Sequence, residues 1–136
     1  MANERGQALA RVTMFSALSK RQLKRLQKAA GEYRYEPGQE LVKEGTPGET
    51  LFAILEGSVK VVRGGRTLRK MGPGDYLGEV ALFDRRPRTA SVIADSEVRC
   101  VALHREDLRK LLADEPKAGW KLLESLAGRL RGDWSS

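Results

Sequence analysis

The segment from Gly78 to Val92 places a carboxylate and a guanidinium close together in the chain, next to small and hydroxyl residues. Gly78 allows a ligand to approach the backbone closely, and residues 79–83 can form one helical turn whose first N–H groups attract an anion. Arg88 adds a planar fork that can bind two phosphate oxygens at once. Glu79 would repel an anion, so its expected role is to accept hydrogen bonds from sugar hydroxyls. The segment therefore predicts a site for a nucleotide whose sugar and phosphate lie side by side.

Each part of this segment also has a purely structural interpretation. In isolation, Glu79 and Arg88 could form a structural salt bridge. Arg85 and Arg86 could attract phosphate, but a solvated loop tip is the favoured interpretation for both. The glycine-rich loop that cradles nucleoside triphosphates ends in lysine and then serine or threonine, and the sequence contains no such loop. The segment alone therefore leaves the choice between ligand site and structural pair open.

Length and composition predict one domain over residues 1–136. The 136 residues suit a single core, and a composition of 40% hydrophobic and 32% charged residues is that of a globular protein. The chain has no apolar run of membrane-spanning length and no N-terminal signal pattern, and its one cysteine excludes an intramolecular disulfide. We therefore expect a cytoplasmic protein. The net charge of +7 fits either an anionic partner or a solvated basic surface.

Helical patterns lie at both ends of the chain, over about residues 8–31 and 105–132. Ser19 and Gln22 have the spacing of a capping box at a helix start, and Gly31 is placed to end that helix. Near the C-terminus, Pro116 breaks the pattern and suits the first turn of a further helix. We expect a broken helix at the N-terminus and a helix pair at the C-terminus.

Short apolar or alternating runs separated by turn residues fill the region between about residues 33 and 103. The runs cover residues 40–43, 51–55, 58–63, 67–71, 89–94 and 98–103. Gly64-Gly65 indicates a tight hairpin, because such a turn needs positive φ angles at its centre. The pattern predicts an α+β fold: an antiparallel β-roll, of the jelly-roll or double-stranded β-helix kind, flanked by helices on both sides.

The chain resembles the cyclic nucleotide-binding domain family, the type found in the catabolite activator protein, protein kinase A regulatory subunits and cyclic-nucleotide-gated channels. Residues 78–92 match its phosphate-binding cassette, and turn and core residues upstream match its β-roll. These are Pro37, Gly38, Glu44, Gly45, Gly48, residues 51–54, residues 56–59, Gly74 and Asp75. The resemblance covers about Phe15 to Leu130, so it involves nearly the whole chain.

This resemblance implies roles for individual residues. Glu79 would bind the ribose 2′-hydroxyl, Arg88 the cyclic phosphate, and the N–H groups of Ala81 and Thr89 the phosphate oxygens. The Thr89 hydroxyl could reach a syn guanine, but relatives with this hydroxyl also bind cAMP, so the choice between cAMP and cGMP stays open. Val92 would join Leu77 as a pocket wall. The candidate ligand-binding set is Leu77, Gly78, Glu79, Val80, Ala81, Arg88, Thr89 and Ala90.

Four further residues invite functional interpretations. Trp120 and Trp134 could cap the purine base, although we expect Trp120 to pack on the roll and Trp134 to lie near a frayed end. His104 is expected at a boundary between a strand and a helix. Cys100 is expected in the core rather than as a reactive thiol.

The favoured function is a cyclic-nucleotide sensor that has no catalytic or metal site and binds cAMP or cGMP as its ligand. A cupin-like metalloenzyme is a poor alternative, because His104 is the only histidine. The main alternative is an effector-binding fragment of a catabolite-activator-type transcription regulator, because a whole regulator needs a DNA-binding module and we expect none in this chain. The expected partner is a protein effector acting in trans, and the C-terminal helix could pair two copies into a homodimer.

Overall fold

The computed structural model describes residues 4–128 and 130–131, which form two antiparallel sheets with helices at both ends. The α-helices are α1 (Glu4–Ala10), α2 (Lys20–Ala29), α3 (Arg105–Asp114) and α4 (Pro116–Gly128). Two short 3-10 helices cover Thr13–Ala17 and Val80–Leu82. The strands are β1 (Gly31–Tyr35), β2 (Glu40–Val42), β3 (Thr50–Glu56), β4 (Val59–Arg63), β5 (Arg66–Met71), β6 (Tyr76–Leu77), β7 (Ser91–Ala94) and β8 (Val98–His104).

One sheet separates two apolar cores. Its strand order is β1-β8-β3-β6, and the opposing sheet has the order β2-β7-β4-β5. Side chains alternate between faces along a strand, so Leu51 on β3 and Leu103 on β8 join the helical core while Phe52 and Ala102 join the core inside the roll. The arrangement confirms the predicted α+β fold with an antiparallel β-roll between helices.

The N-terminal helices confirm one local prediction and correct another. The Ser19 hydroxyl accepts a hydrogen bond from the Gln22 N–H, and the Gln22 side chain returns one to the Ser19 N–H, which is the predicted capping box. The prediction that Gly31 ends the helix is wrong. α2 ends at Ala29, and Gly31 is the first residue of β1, paired with Ala102 of β8.

The predicted runs correspond to strands, with two omissions. No run was assigned to β1, whose side chains are mostly exposed, or to the two-residue β6. The Gly64-Gly65 hairpin is confirmed, with φ angles of 57° and 79° joining β4 to β5. The Gly64 N–H also donates to the carboxylate of Glu44 at 3.1 Å. This hydrogen bond holds the hairpin against the loop that follows β2.

Polar contacts from α2 hold the junction between α3 and α4. Arg21 donates two hydrogen bonds, of 2.7 and 2.9 Å, to the carboxylate of Glu115, and Gln22 donates a third at 3.3 Å. These hydrogen bonds hold the pKa of Glu115 below its usual range. Arg25 pairs with Asp114 at 2.6 Å. The predicted break before Pro116 is confirmed. The junction between α3 and α4 at this break is held by the side chains of α2.

Helix α4 corrects the expectation for Trp120. The indole was expected to pack on the roll, but Trp120 is 69% exposed, on the same side as the exposed Leu123. The inner side of α4 instead buries Ala118 and Leu122 in the helical core. Trp134 lies outside the described residues. No helix within residues 4–128 and 130–131 is long and apolar enough to cross a membrane.

Candidate ligand-binding site

The candidate cassette begins where β6 leaves the first sheet. Leu77 pairs with Phe52 of β3 and packs against the core inside the roll, to which Val92 also belongs. Gly78 follows with a φ of 85°, and a Cβ at this position would lie 2.6 Å from the carbonyl oxygen of Thr50. Both facts favour glycine at position 78, so the chain passes directly against the first residue of β3.

The predicted helical turn exists as the short 3-10 helix Val80–Leu82, which we call the cassette helix. Ala81 and Leu82 point inward and are buried, whereas the side chain of Val80 is largely exposed. The Ala81 N–H donates to the Gly78 carbonyl at 3.0 Å. Binding of a phosphate oxygen by this N–H therefore requires the hydrogen bond to be shared or released. At the N-terminal end, the Oε2 atom of Glu79 is buried.

The Arg88 side chain lies against the backbone of Gly48 and of Thr50. Its Nη2 donates to the Thr50 carbonyl at 2.8 Å. A Cβ on Gly48 would lie only 1.8 Å from the Arg88 Nε, so any larger residue at position 48 would force the guanidinium out of its observed place. The backbone is fixed as well, because the Arg88 N–H donates to Thr46 and its carbonyl accepts from Gly45, both at 2.8 Å.

We call the surroundings of Arg88, formed by Gly45, Thr46, Gly48 and Thr50, the seat of Arg88. These surroundings determine the electrostatic state of its guanidinium. A carbonyl oxygen has no net charge, and within residues 4–128 and 130–131 no carboxylate forms an ion pair with Arg88, so its guanidinium charge is not neutralised there. Burial lowers the pKa of the guanidinium below its usual value, although arginine remains protonated in proteins. A cavity of about 170 Å³ beside it is lined by Lys43, Thr46, Thr50 and Phe52 among others. The site thus combines a fixed half-buried cation with a polar and partly apolar cavity.

The remaining cassette residues are more accessible. Thr89 is exposed, and Ala90, which directly precedes β7, is half-buried. Arg86 is exposed, as predicted for a loop tip, and hydrogen-bonds to Asp84. Arg85 pairs with Glu49 at 2.9 Å. The structure therefore brings Gly78 and Arg88 together at Thr50, while Thr89 faces solvent.

Two residues that contact Arg88 are not identified as site residues by the sequence analysis. They are Gly48, which the sequence indicates only as a turn or core position of the roll, and Thr50. Both lie about forty positions before Arg88 in the chain. Thr50 begins β3 and Gly48 lies in the loop before it, and the pairing of β3 with β6 brings this part of the chain to the cassette. The glycine at position 48 was the available sign, because glycine marks close backbone approach as well as turns.

Cys100 and His104 lie where the sequence predicts, and the contacts of both are with the surrounding fold. Cys100 is buried in the roll, as predicted, and burial raises the pKa of its thiol to about 11. His104 lies at the predicted boundary between β8 and α3, with its Nδ1 3.0 Å from the Thr50 hydroxyl. Within residues 4–128 and 130–131, no group of three or more histidine, cysteine or carboxylate side chains is arranged to hold a metal ion.

Several known proteins are similar to this chain in sequence, and one of them also in structure. A regulator described as a "CRP-like cAMP-activated global transcriptional regulator" from Mycobacterium tuberculosis is 38% identical over 90% of this chain, which spans 57% of that protein. A cGMP-dependent protein kinase from Toxoplasma gondii is 38% identical over 82% of this chain, which spans 11% of the kinase. The crystal structure of the N-terminal domain of a transcriptional regulator from Streptomyces coelicolor A3(2) matches with a TM-score of 0.84 and 37% identity, covering 94% of this chain and 93% of that one.

The family model of the cyclic nucleotide-binding domain matches residues 32–115. That range contains all eight strands except the first residue of β1, together with the cassette helix and α3. The match therefore includes both the roll and the seat of Arg88. The chain belongs to the cyclic nucleotide-binding domain family.

Proposed function

We propose that this chain is a non-catalytic sensor domain that binds cAMP or cGMP through the cassette over residues 78–92. The observation that carries the proposal is the seat of Arg88, where a half-buried guanidinium faces a cavity and is held by a neutral carbonyl. Such a cation gains most from an anionic ligand, because it is already partly desolvated. Membership of the cyclic nucleotide-binding domain family supplies the anion: a cyclic phosphate.

In the proposed complex, Arg88 pairs with the cyclic phosphate and Glu79 accepts a hydrogen bond from the ribose 2′-hydroxyl. A guanidinium has five N–H donors, so Arg88 can bind phosphate oxygens and keep its hydrogen bond to Thr50. The N–H groups of Ala81 and Thr89 complete the phosphate contacts, and Leu77 lies along the pocket wall. Gly78, Val80 and Ala90 contribute backbone around the ligand.

The base preference rests on fewer contacts. Thr89 exposes a hydroxyl that can hydrogen-bond to a guanine amino group. Relatives described as cAMP-activated and as cGMP-dependent are both 38% identical to this chain. We therefore propose that both nucleotides bind and that Thr89 adds affinity for cGMP.

The proposed output is a movement of the C-terminal helices that a partner detects. One favoured setting is the effector-binding part of a transcription regulator, because the Streptomyces coelicolor match is the N-terminal domain of one. The other is a domain that acts on a protein effector in trans. The exposed Trp120 and Leu123 on α4 also suit pairing of two copies.

Calorimetric titration with cAMP, cGMP and 5′-AMP tests the binding proposal. We expect both cyclic nucleotides to bind and 5′-AMP to bind more weakly, because its phosphate is not closed onto the ribose. Glu79→Gln should weaken cyclic nucleotide binding by about 1–2 kcal/mol, since a charged acceptor is replaced by a neutral one. The matched control is Glu106→Gln, an exposed glutamate paired with Arg109.

The outcome that contradicts the proposal is a wild-type protein that binds neither cyclic nucleotide at millimolar concentration. Equal losses in Glu79→Gln and Glu106→Gln would reject the assigned role of Glu79. A Thr89→Ala variant that loses affinity for cGMP but not for cAMP would establish that Thr89 contacts the guanine.

A further inference from the structure

Helix α3 begins at a point fixed to β3. The last pair of the β3–β8 ladder joins Thr50 to His104, and the next residue, Arg105, donates its backbone N–H to the Glu49 carbonyl at 2.8 Å. The His104 ring adds a contact to the Thr50 hydroxyl at 3.0 Å. The first turn of α3 therefore rests on Glu49 and Thr50, the same two residues that contact the cassette arginines.

The side chain of Arg105 reaches from α3 to the cassette helix. Its Nη1 donates to the carbonyl of Phe83 at 3.3 Å, and Phe83 is the residue that ends the cassette helix. This hydrogen bond joins α3 directly to the segment that carries Glu79 and Ala81. A cation at the C-terminal end of a helix is also favourably placed with respect to exposed carbonyls.

Arg105 is not fully satisfied in this arrangement. Its Nε is buried, and no hydrogen-bond partner for it lies among the described residues. A buried donor without a partner is costly, and such groups are rare enough in native proteins to need an explanation. A movement of the cassette helix relative to α3 that brought an acceptor to this Nε would remove that cost.

We infer that Arg105 is a positioning residue that transmits movement of the cassette helix to α3. The inference rests on the proposed function, because the cyclic nucleotide supplies the force that moves the cassette. Phosphate binding engages Arg88 and the N–H groups at residues 81 and 89, and the Phe83 carbonyl moves with them. Arg105 follows that carbonyl, so the angle between α3 and the roll changes when ligand binds.

Hydrogen exchange on three segments tests this inference. Peptides from the cassette (78–92), from α3 (105–114) and from the β4–β5 hairpin are followed with and without saturating cAMP or cGMP. In the wild-type protein we expect nucleotide to change exchange in the cassette and in α3. In Arg105→Met, which keeps most of the apolar stem, the cassette should still respond and the α3 response should fall to less than half of its wild-type size.

The matched control is Arg109→Met, one turn further along α3, because Arg109 contacts only the exposed Glu106 among the described ion pairs. Arg105→Lys, which keeps a charged donor, should retain part of the α3 response. Calorimetry should show that Arg105→Met changes nucleotide affinity by no more than about fivefold, the lower limit typical of coupled sites. The exchange of the β4–β5 hairpin without ligand reports whether each variant is folded; if Arg105→Met is not, Arg105→Lys is judged alone and must show a reduced α3 response.

The results separate the two proposals. An unchanged α3 response in a folded Arg105→Met, or equal reductions in Arg105→Met and Arg109→Met, would overturn the role of Arg105. A wild-type protein whose cassette responds while α3 does not would overturn it too. A wild-type protein that binds neither nucleotide would reject the proposed function itself, and the inference with it.

Discussion

Arg88 and Arg99 belong to the same roll, are both withdrawn from solvent, and have opposite surroundings. Arg99 on β8 is 14% exposed and forms ion pairs with Glu32 and Glu56 on the neighbouring strands. Arg88 in the cassette donates to the neutral carbonyl of Thr50, and burial lowers the pKa of its guanidinium. Arg99 is compensated by the protein, so its role is structural. Arg88 has a fixed position, and no carboxylate among the described residues forms an ion pair with it, which fits its proposed role in binding an anion.

Removal of the Arg88 charge should have the largest effect on the ligand and a small effect on the fold. We expect Arg88→Met to weaken cyclic nucleotide binding by about 2–4 kcal/mol, because a desolvated phosphate loses its charged partner. The free energy of unfolding should change by less than about 1 kcal/mol, since the variant also relieves a half-buried cation. Calorimetry and urea unfolding measure the two effects. A large loss of stability with unchanged affinity would reverse the assignment.

Gly78 in the cassette and Gly57 outside it differ in their expected effect on nucleotide binding, as Arg88 and Arg99 do. Gly78 and Gly57 have φ angles of 85° and 87°. A Cβ on Gly78 would lie close to the Thr50 carbonyl oxygen, and a Cβ on Gly57 close to that of Glu97. Alanine at either position should cost at least about 1–2 kcal/mol in unfolding free energy through backbone strain. Only Gly78→Ala should also reduce nucleotide affinity, because its strain displaces the seat of Arg88. Equal affinity in the two folded variants would contradict this difference.

The third test concerns the structural arginine. We expect Arg99→Met to lower the free energy of unfolding by about 1–2 kcal/mol, because Glu32 and Glu56 lose their shared partner. The value should lie at the low end, since both glutamates are partly exposed and water screens the pair. Nucleotide affinity of the folded protein should be unchanged. A loss of affinity comparable with that of Arg88→Met would show that the two arginines do not differ in role.

Cys100, next to Arg99 on β8, gives the smallest expected effect. Burial, and secondly the charge of Glu32, raise the pKa of its thiol from 9.0 to about 11. Labelling by a disulfide reagent at pH 8 should therefore be slow and follow unfolding, with or without nucleotide. Because the folded pKa is raised, this group contributes stability below pH 9.0 that is lost as the pH rises toward 11. Rapid labelling of the folded protein would place Cys100 outside the structural core.

The sequence predicted most of what depends on neighbouring residues. The Ser19 capping box and the Gly64-Gly65 hairpin follow from local chemistry, and both are present. Strand β6 has two residues, too few for a periodic pattern, and β1 is mostly exposed, so neither stood out. Gly31 was assigned to the helix end because glycine favours that position, but pairing with β8 extends the strand to include it.

The candidate site shows the same limit. The family resemblance placed the cassette, and the chemistry of carboxylate and guanidinium suggested sugar and phosphate. The seat of Arg88 depends on Gly48 and Thr50, which only the folded roll brings to it. Likewise, the sequence predicts that Trp120 packs on the roll, but α4 packs through Ala118 and Leu122 and leaves the indole exposed.

A structure of the protein crystallised with cAMP or cGMP tests the central claim most directly. We expect a phosphate oxygen of the nucleotide within about 3 Å of an Arg88 Nη atom and the ribose 2′-hydroxyl within hydrogen-bond distance of Glu79. Arg99 should keep its contacts with Glu32 and Glu56. A bound nucleotide whose phosphate lies away from Arg88, or one that displaces the glutamates from Arg99, would contradict the account.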